Sequence, residues 1–470
     1  MPTNKTPDVY IKEISVFPPS VAEVETAIPA FIGYTEFAKR NSANDLILKP
    51  TKIHSLKDFE RFFGFPEDDD IAISVADDGA GGFTVAGLTE PTVSYLLYYS
   101  VRMFFDNGGD QCYIVSVGMH QSSPAINLAG DSGTDPATMY GLQDGLETLA
   151  LEDEPALIVI PEAVKLSTAD YQTLVQAVLL QCDKLRDRFA VFDIRDGQDD
   201  LDSTGLLTNR GHFGNNHLKF GAAYYPFLKT TMNFFVNSDE TNVDVTYDSD
   251  PAADLGTIKS SNTAVYTFVK KALKDLFVTL PPSGAVTGVY AATDRNRGVW
   301  KAPANVSLAN VIEPVVKLDK TKHDSLNVDA TSGKSINAVR SFEGKGSLVL
   351  GARTLAGNDK EWRYVSVRRF FNMVEESVKK STYWAVFEPT DADTWVKVRG
   401  MIENYLLHKW REGALAGATP ADAFFVKCGL GTTMDSQDIL EGRMNVEIGM
   451  AVVRPAEFII LEFSHKVQTS

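Results

Sequence analysis

The sequence predicts a multidomain chain of α/β and α+β class, with a central, mostly parallel α/β domain and extended strand-like arms at both termini. Three observations carry this. First, apolar runs without alternation recur with helical segments between them: CYIVSVG (Cys112 to Gly118), LIVIP (Leu157 to Pro161) and FAVFDI (Phe189 to Ile194). That is the pattern of strands covered on both faces. Second, both ends carry short runs of strand formers set off from their neighbours by prolines. Third, charge is uneven along the chain. Residues 1–289 hold 21 Lys and Arg against 40 Asp and Glu, whereas residues 290–470 hold 24 against 22.

Taken in order, DVYIKEIS (Asp8 to Ser15) is strand-like and is cut off by Phe17-Pro18-Pro19, so it reads as an arm. TAIPAFIGYTE (Thr26 to Glu36) is the first buried strand. Residues 66–90 are acidic and Gly-rich, and read as an exposed insertion; residues 238–262 read as a second one. Between them, Leu96, Val101, Phe104 and Phe105 give helical spacing that closes at Asn107-Gly108-Gly109. A helix through YQTLVQAVLLQCDKL joins the strands at 157 and 189. Thr263 to Phe277 predicts another helix, and SGAVTGVYAAT (Ser283 to Thr293) a strand leading into the loop AATDRNRGVWKAPAN. Further on, Phe370, Val374 and Val378 mark one helical stripe, and Trp395, Val398, Ile402, Leu406 and Trp410 a second. The tail alternates from Leu461, as a half-buried strand does. Strand-like arms at both ends suit pairing with a sheet of another chain.

The net charge of −17 argues against nucleic acid as the main partner. Cys112, Cys182 and Cys428 are sparse, odd in number and set in apolar runs, as buried thiols are. The first residues lack a basic start followed by an apolar core, and no apolar run approaches the roughly 20 residues of a membrane span, so membrane insertion is not expected. Gly79-Ala80-Gly81-Gly82 and Gly344-Lys345-Gly346 lack the spacing of a nucleotide loop. His212 and His217 have no Cys or carboxylate at metal-ligand spacing and read as loop hydrogen-bonding residues. No nucleophile elbow is present. Catalytic residues, metal ligands and cofactor sites are therefore not assigned.

What stands out is a set of arginine and aromatic clusters in the last third: Asp294, Arg295, Arg297 and Trp300; Arg353; Trp362 and Arg363; Arg368 and Arg369. A solvated basic face is the bland explanation. Each arginine sits beside an aromatic or β-branched residue in segments built for burial, which favours Arg–carboxylate clamps, within the chain or between chains.

The same segments carry a resemblance. TPDVYIKEIS, TAIPAFIGYTE, FFDNGGDQCYIVSVG, DRNRGVWKAPAN, INAVRSFEGKGSLVLGARTL, EWRYVSVRRFFNMVEESV, WREGALAGATPADAFFVKCG and IGMAVVRPAEFIILEF resemble, in order, the contractile tail sheath proteins of myophages and of phage-tail-like injection systems. The N-terminal part is most similar to antifeeding-prophage-like extracellular systems. Asp8 stands where the family usually has Gly, which bears on the turn leading into the arm.

The resemblance implies a structural subunit, not an enzyme. Copies would form hexameric rings stacked helically around an inner tube protein, with baseplate and terminal cap proteins, and would contract to drive the tube through a target membrane. The subunit would be made and assembled in the bacterial cytoplasm, within a particle that can be released. It also implies a division into an N-terminal arm (1–28), a central outer domain (29–290), a conserved sheath domain facing the tube (291–452) and a C-terminal strand arm (453–470). Val9, Tyr10 and Ile11, and Phe458, Ile459, Ile460, Leu461 and Phe463, would be the strands donated to neighbours. Asp294, Arg295, Arg297, Trp300, Arg353, Trp362, Arg363, Arg368 and Arg369 would brace the conserved domain. Lys397, Arg399, Lys409 and Arg411 are candidates for tube contact. A myophage or R-type bacteriocin sheath is the near alternative. An α/β hydrolase with an assembly domain is the distant one. A type VI sheath is disfavoured, because there the segments are split over two chains.

Overall fold

The computed structural model describes residues 20–457 apart from 122, 132 and 249, so both expected arm strands lie outside the described residues. The chain divides into two compact units, Glu25–Asn372 with Arg454–Ser470, and Met1–Val24 with Met373–Val453.

The larger unit begins with β1 (Pro29–Thr35), β2 (Thr51–Ile53), α1 (Leu56–Phe63), β3 (Ile71–Asp77), β4 (Phe83–Thr89), α2 (Leu97–Asp106) and β5 (Cys112–Met119). It continues with α3 (Leu142–Leu149), β6 (Leu157–Val159), α4 (Thr168–Leu185), β7 (Phe189–Asp193), α5 (Ser203–His212), β8 (Gly221–Tyr225) and β9 (Leu228–Asn233). Then come β10 (Val243–Tyr247), β11 (Ala253–Asp254), α6 (Leu255–Ser261), α7 (Thr263–Ala272), β12 (Phe277–Leu280) and α8 (Ser283–Arg297). β13 (Val306–Ser307), β14 (Val311–Pro314), α9 (Lys320–Asn327), β15 (Asn337–Phe342) and β16 (Gly346–Val349) precede α10 (Val365–Ser381), inside which the division between units falls.

Nine strands form the main sheet in the order β13-β16-β15-β8-β7-β6-β1-β5-β2. Its six central strands, β15 to β5, are parallel, and the strands at either edge are antiparallel. All seven residues of β1 are buried. Alternate residues feed two cores: Phe31, Leu157, Val159, Phe189 and Val191 join one, and Ala30, Ile32, Ile158, Ala190 and Phe192 join the other. That is why these strands read as unbroken apolar runs.

Two expectations are corrected here. Ser283–Arg297 is a helix, not a strand entering a loop. Its β-branched residues suggested a strand, but Gly284 and Gly288 let α8 approach α2 closely. A Cβ on Gly284 would lie 2.4 Å from the Ser100 carbonyl oxygen, and one on Gly288 2.5 Å from that of Phe104. Small residues four apart on one helix face permit backbones to touch. The boundary expected at 290/291 therefore lies inside α8. Second, the two acidic stretches are not separate exposed insertions. They pair as one sheet, β11-β10-β3-β4, with Ile71 opposite Val243 and Ile73 opposite Val245 in parallel register. Those side chains and Val75 are buried in the main core, while β4 is the exposed edge.

The smaller unit holds the end of α10, then α11 (Ala392–Arg411), α12 (Pro420–Ala423), β17 (Phe424–Cys428), α13 (Ser436–Leu440) and β18 (Val446–Met450). Asp391 caps α11 by accepting the Thr394 N–H. Val398, Met401, Ile402, Tyr405 and Leu406 form its buried stripe, against which β17 packs. Trp395 and Trp410, expected on that stripe, are half-buried and donate their indole N–H groups to Thr390 Oγ1 and the Gly417 carbonyl.

Candidate functional site

Two of the expected clusters build buried Arg–carboxylate clamps. Asp294 stands in the last turn of α8, and Arg369 in the first turns of α10. Arg369 donates to both Asp294 oxygens, Nη1 to Oδ1 at 3.1 Å and Nη2 to Oδ2 at 2.5 Å, and also to the Thr26 carbonyl at 2.9 Å. The Thr26 hydroxyl donates to Asp294 Oδ2 at 2.5 Å. The guanidinium lies 4.8 Å from the Tyr290 ring centroid. Both charged side chains are nearly fully buried, at 3% and 8% exposure. A buried pair of this kind is held by the number of its hydrogen bonds, because desolvation opposes it.

Arg353 makes the second clamp. It grips the Glu457 carboxylate with two parallel hydrogen bonds, Nε to Oε1 at 2.8 Å and Nη2 to Oε2 at 2.6 Å. Asn327 Nδ2 and the Tyr364 hydroxyl donate to the same carboxylate, at 2.9 and 3.2 Å. Burial alone would raise the Glu457 pKa, but the donors around it hold it below the usual glutamate range. Arg353 is itself fixed by Asn337 of β15, whose amide accepts the Arg353 N–H and donates to its carbonyl, both at 2.8 Å.

The other expected residues fall around these. Arg368 stacks 4.5 Å from the Trp362 ring and 5.0 Å from Phe220, and donates to Asn372 Oδ1. Trp362 meets Phe371 edge-on, and Trp300 meets Phe370 likewise. Gly298, at φ +84°, caps α8 where a Cβ would strike the Trp300 ring. Arg363 lies 6.0 Å from Tyr364. Arg295 and Arg297 are exposed, the former reaching the Gly108 carbonyl and Asp110.

Of the tube-contact candidates, Lys397 and Arg411 are exposed, and Arg399 is half-buried beside Glu403. Lys409 departs from expectation. It is 5% exposed and holds Glu412 at 2.8 Å together with Glu23, its ammonium kept charged by these carboxylates against the opposing effect of burial. Its place on a helix of mixed faces hid this, since sequence spacing does not show which lysine turns inward. Sequence reasoning also missed Thr26, Glu23 and Asn327. The one available signal was an acidic residue at the root of each strand-like terminal segment.

β17 and β18 form a two-stranded antiparallel sheet, and among the described residues no further strand pairs with either along these spans. Phe425 on β17 is 44% exposed. His212 ends α5 rather than lying in a loop, and His217 pairs with Asp183 at 2.9 Å. Among the described residues no cluster of three or more His, Cys, Asp or Glu is placed to hold a metal ion, and the three cysteines are unpaired and buried. No helix among them is long and apolar enough to cross a membrane. Gly79–Gly82 and Gly344–Gly346 form the turns of the β3–β4 and β15–β16 hairpins.

Residues 357–466 match the phage tail sheath C-terminal domain family. The tail sheath proteins of Enterobacteria phage T4 and Vibrio phage KVP40 are 27% and 26% identical over 130 residues, which is 27% of this chain but only 19% of either phage protein. The sheath of PVC, an extracellular contractile injection system, in its contracted state is similar over 99% of each chain, at 29% identity and a TM-score of 0.64. The contracted helical sheath of the anti-feeding prophage is similar over 99% of this chain and 100% of that one, at 28% identity and a TM-score of 0.65. A chain of its contracted baseplate is 26% identical over 98% of this chain and 99% of that one, with a TM-score of 0.69. The stretch 357–466 thus carries the sheath C-terminal domain, and along its length the chain is similar to contractile tail sheath proteins. The injection-system chains match this chain nearly end to end, whereas the phage proteins match it over 130 residues.

Proposed function

We propose that copies of this chain form hexameric rings that stack helically around an inner tube, and that the stack shortens to drive the tube through a target membrane as part of an extracellular contractile injection system. The observation that carries this reading is the β17–β18 pair. Two short strands that, among the described residues, pair with no further strand along their spans, in the stretch that matches the sheath domain, are a ready acceptor for added strands. The strand-patterned segments 8–15 and 458–468 are the natural donors, passed from neighbouring copies. The role is structural, with no chemical step assigned to any residue. Baseplate, cap and tube proteins complete the particle, which is assembled in the bacterial cytoplasm, and the exposed Lys397 and Arg411 with Arg399 are the candidate tube-facing charges. Work comes from the free-energy difference between two packings of the same subunits, summed over the array.

End-to-end similarity to injection-system sheaths favours that particle over a myophage or bacteriocin tail. The test is negative-stain electron microscopy of the chain expressed alone and with its tube and baseplate proteins. Hollow, ring-striated tubes are expected. Monodisperse particles under both conditions would refute the reading.

A further inference from the structure

Near each end of the described residues, an acidic residue is held by a buried cation. At the C-terminal end, the hydrogen bonds that reach residues 454–457 among the described residues are all made by the Glu457 side chain; the backbone there makes none. Glu457 is gripped by Arg353, whose side chain is 4% exposed and whose backbone is tied to β15 through Asn337. At the other end, Glu23 pairs with Lys409, inside the smaller unit. On either side of Glu23, Ala22 and Val24 donate their N–H groups to Ser381 Oγ at 3.0 Å and Ser377 Oγ at 3.1 Å. Those serines are four apart, one above the other on α10, so they fit an extended segment laid along the helix.

We propose that Arg353 and Lys409 anchor the roots of the two terminal segments, fixing the points from which residues 1–19 and 458–470 depart toward neighbouring copies. This rests on the sheath reading above. The anchors are directional: a bidentate guanidinium–carboxylate pair holds orientation as well as position, which apolar packing does not. Removing the acid leaves a buried cation short of a partner and leaves the segment's root unfastened, so the effect falls on where the arm points. The two anchors lie in different units, so each terminal segment is fixed to its own body.

The test compares full-length wild type, Glu457→Gln, Glu23→Gln and Arg353→Lys by thermal melting, sedimentation of assembled tubes and electron microscopy. Each glutamine variant is expected to fold, with a melting temperature within about 5 °C of wild type, and to give at least tenfold fewer or shorter tubes. Arg353→Lys, which keeps the charge and loses the fork, should be intermediate. If Glu457→Gln does not fold, Tyr364→Phe removes one hydrogen bond from the same carboxylate and should lower tube yield at least twofold. Wild-type tube yield from the folded glutamine variants, or from Tyr364→Phe where it stands in, would overturn the anchoring role while leaving the sheath reading intact. Absence of tubes from the wild type, even with tube and baseplate proteins, would sink the sheath reading and the anchors with it.

Discussion

Arg369 gathers several partners in one buried spot: two oxygens of Asp294, the Thr26 carbonyl and the face of Tyr290. Removing one member of such a buried pair strands the other, so Asp294→Asn or Arg369→Leu should cost about 3–5 kcal/mol in urea unfolding, well above a typical surface change. Burial acts differently on two carboxyls near the parallel strands. Glu162 accepts the Leu96 and Leu97 N–H groups with one oxygen, while Asp193 accepts that of Ser283; desolvation pushes both pKa values to about 7. A carboxyl whose folded pKa lies above its unfolded one stabilises the fold at low pH, and that stability is lost as pH rises from the ordinary carboxylate range through about 7. Melting temperature should therefore fall as pH rises from about 5 to about 8. The combination Glu162→Gln with Asp193→Asn should flatten the profile, and an unchanged slope in that variant would refute the assignment.

At the scale of elements, legibility followed periodicity. β1, β5, β7, α4, α7, α10 and α11 were readable because unbroken apolar runs or 3.6-residue stripes report directly on burial. α8 was not, since its pattern of small residues records close contact with α2, a partner that lies far away in sequence. The spacing Gly284, Gly288 and Ala292 was the usable signal, Ala292 being where a Cβ on Gly108 would touch. Gly288→Val should cost at least the roughly 1–3 kcal/mol typical of overpacking, and should do so by pushing α8 off α2. The diagnostic is that Gly400→Val on α11, where a Cβ meets open space, should cost no more than about 1 kcal/mol in the same unfolding experiment.

For the whole molecule, the clamps at Arg353 and Arg369 were legible as a kind of contact, but their partners were not. Arg353 and Glu457 are 104 residues apart, and nothing local to either names the other. Lys409 was misread for the same reason: facing is set by the segment that covers it, here residues 22–24. The order of the family segments was readable end to end, and the family match falls on 357–466, against the 291–452 expected for the sheath domain. Deleting residues 458–470 while keeping Glu457 should leave a monomer with an unchanged melting temperature and no tubes by electron microscopy; tubes of normal length would remove the C-terminal arm from the assembly.

The sheet built from β3, β4, β10 and β11 ties two stretches of sequence that are more than 150 residues apart into one body. Ile71 and Ile73 form one buried row with Val243 and Val245. A lineage could not trim or exchange one stretch without uncovering the apolar row of the other. Shortening, grafting or diversifying this acidic region is therefore a two-site operation, and relatives should carry both stretches or neither.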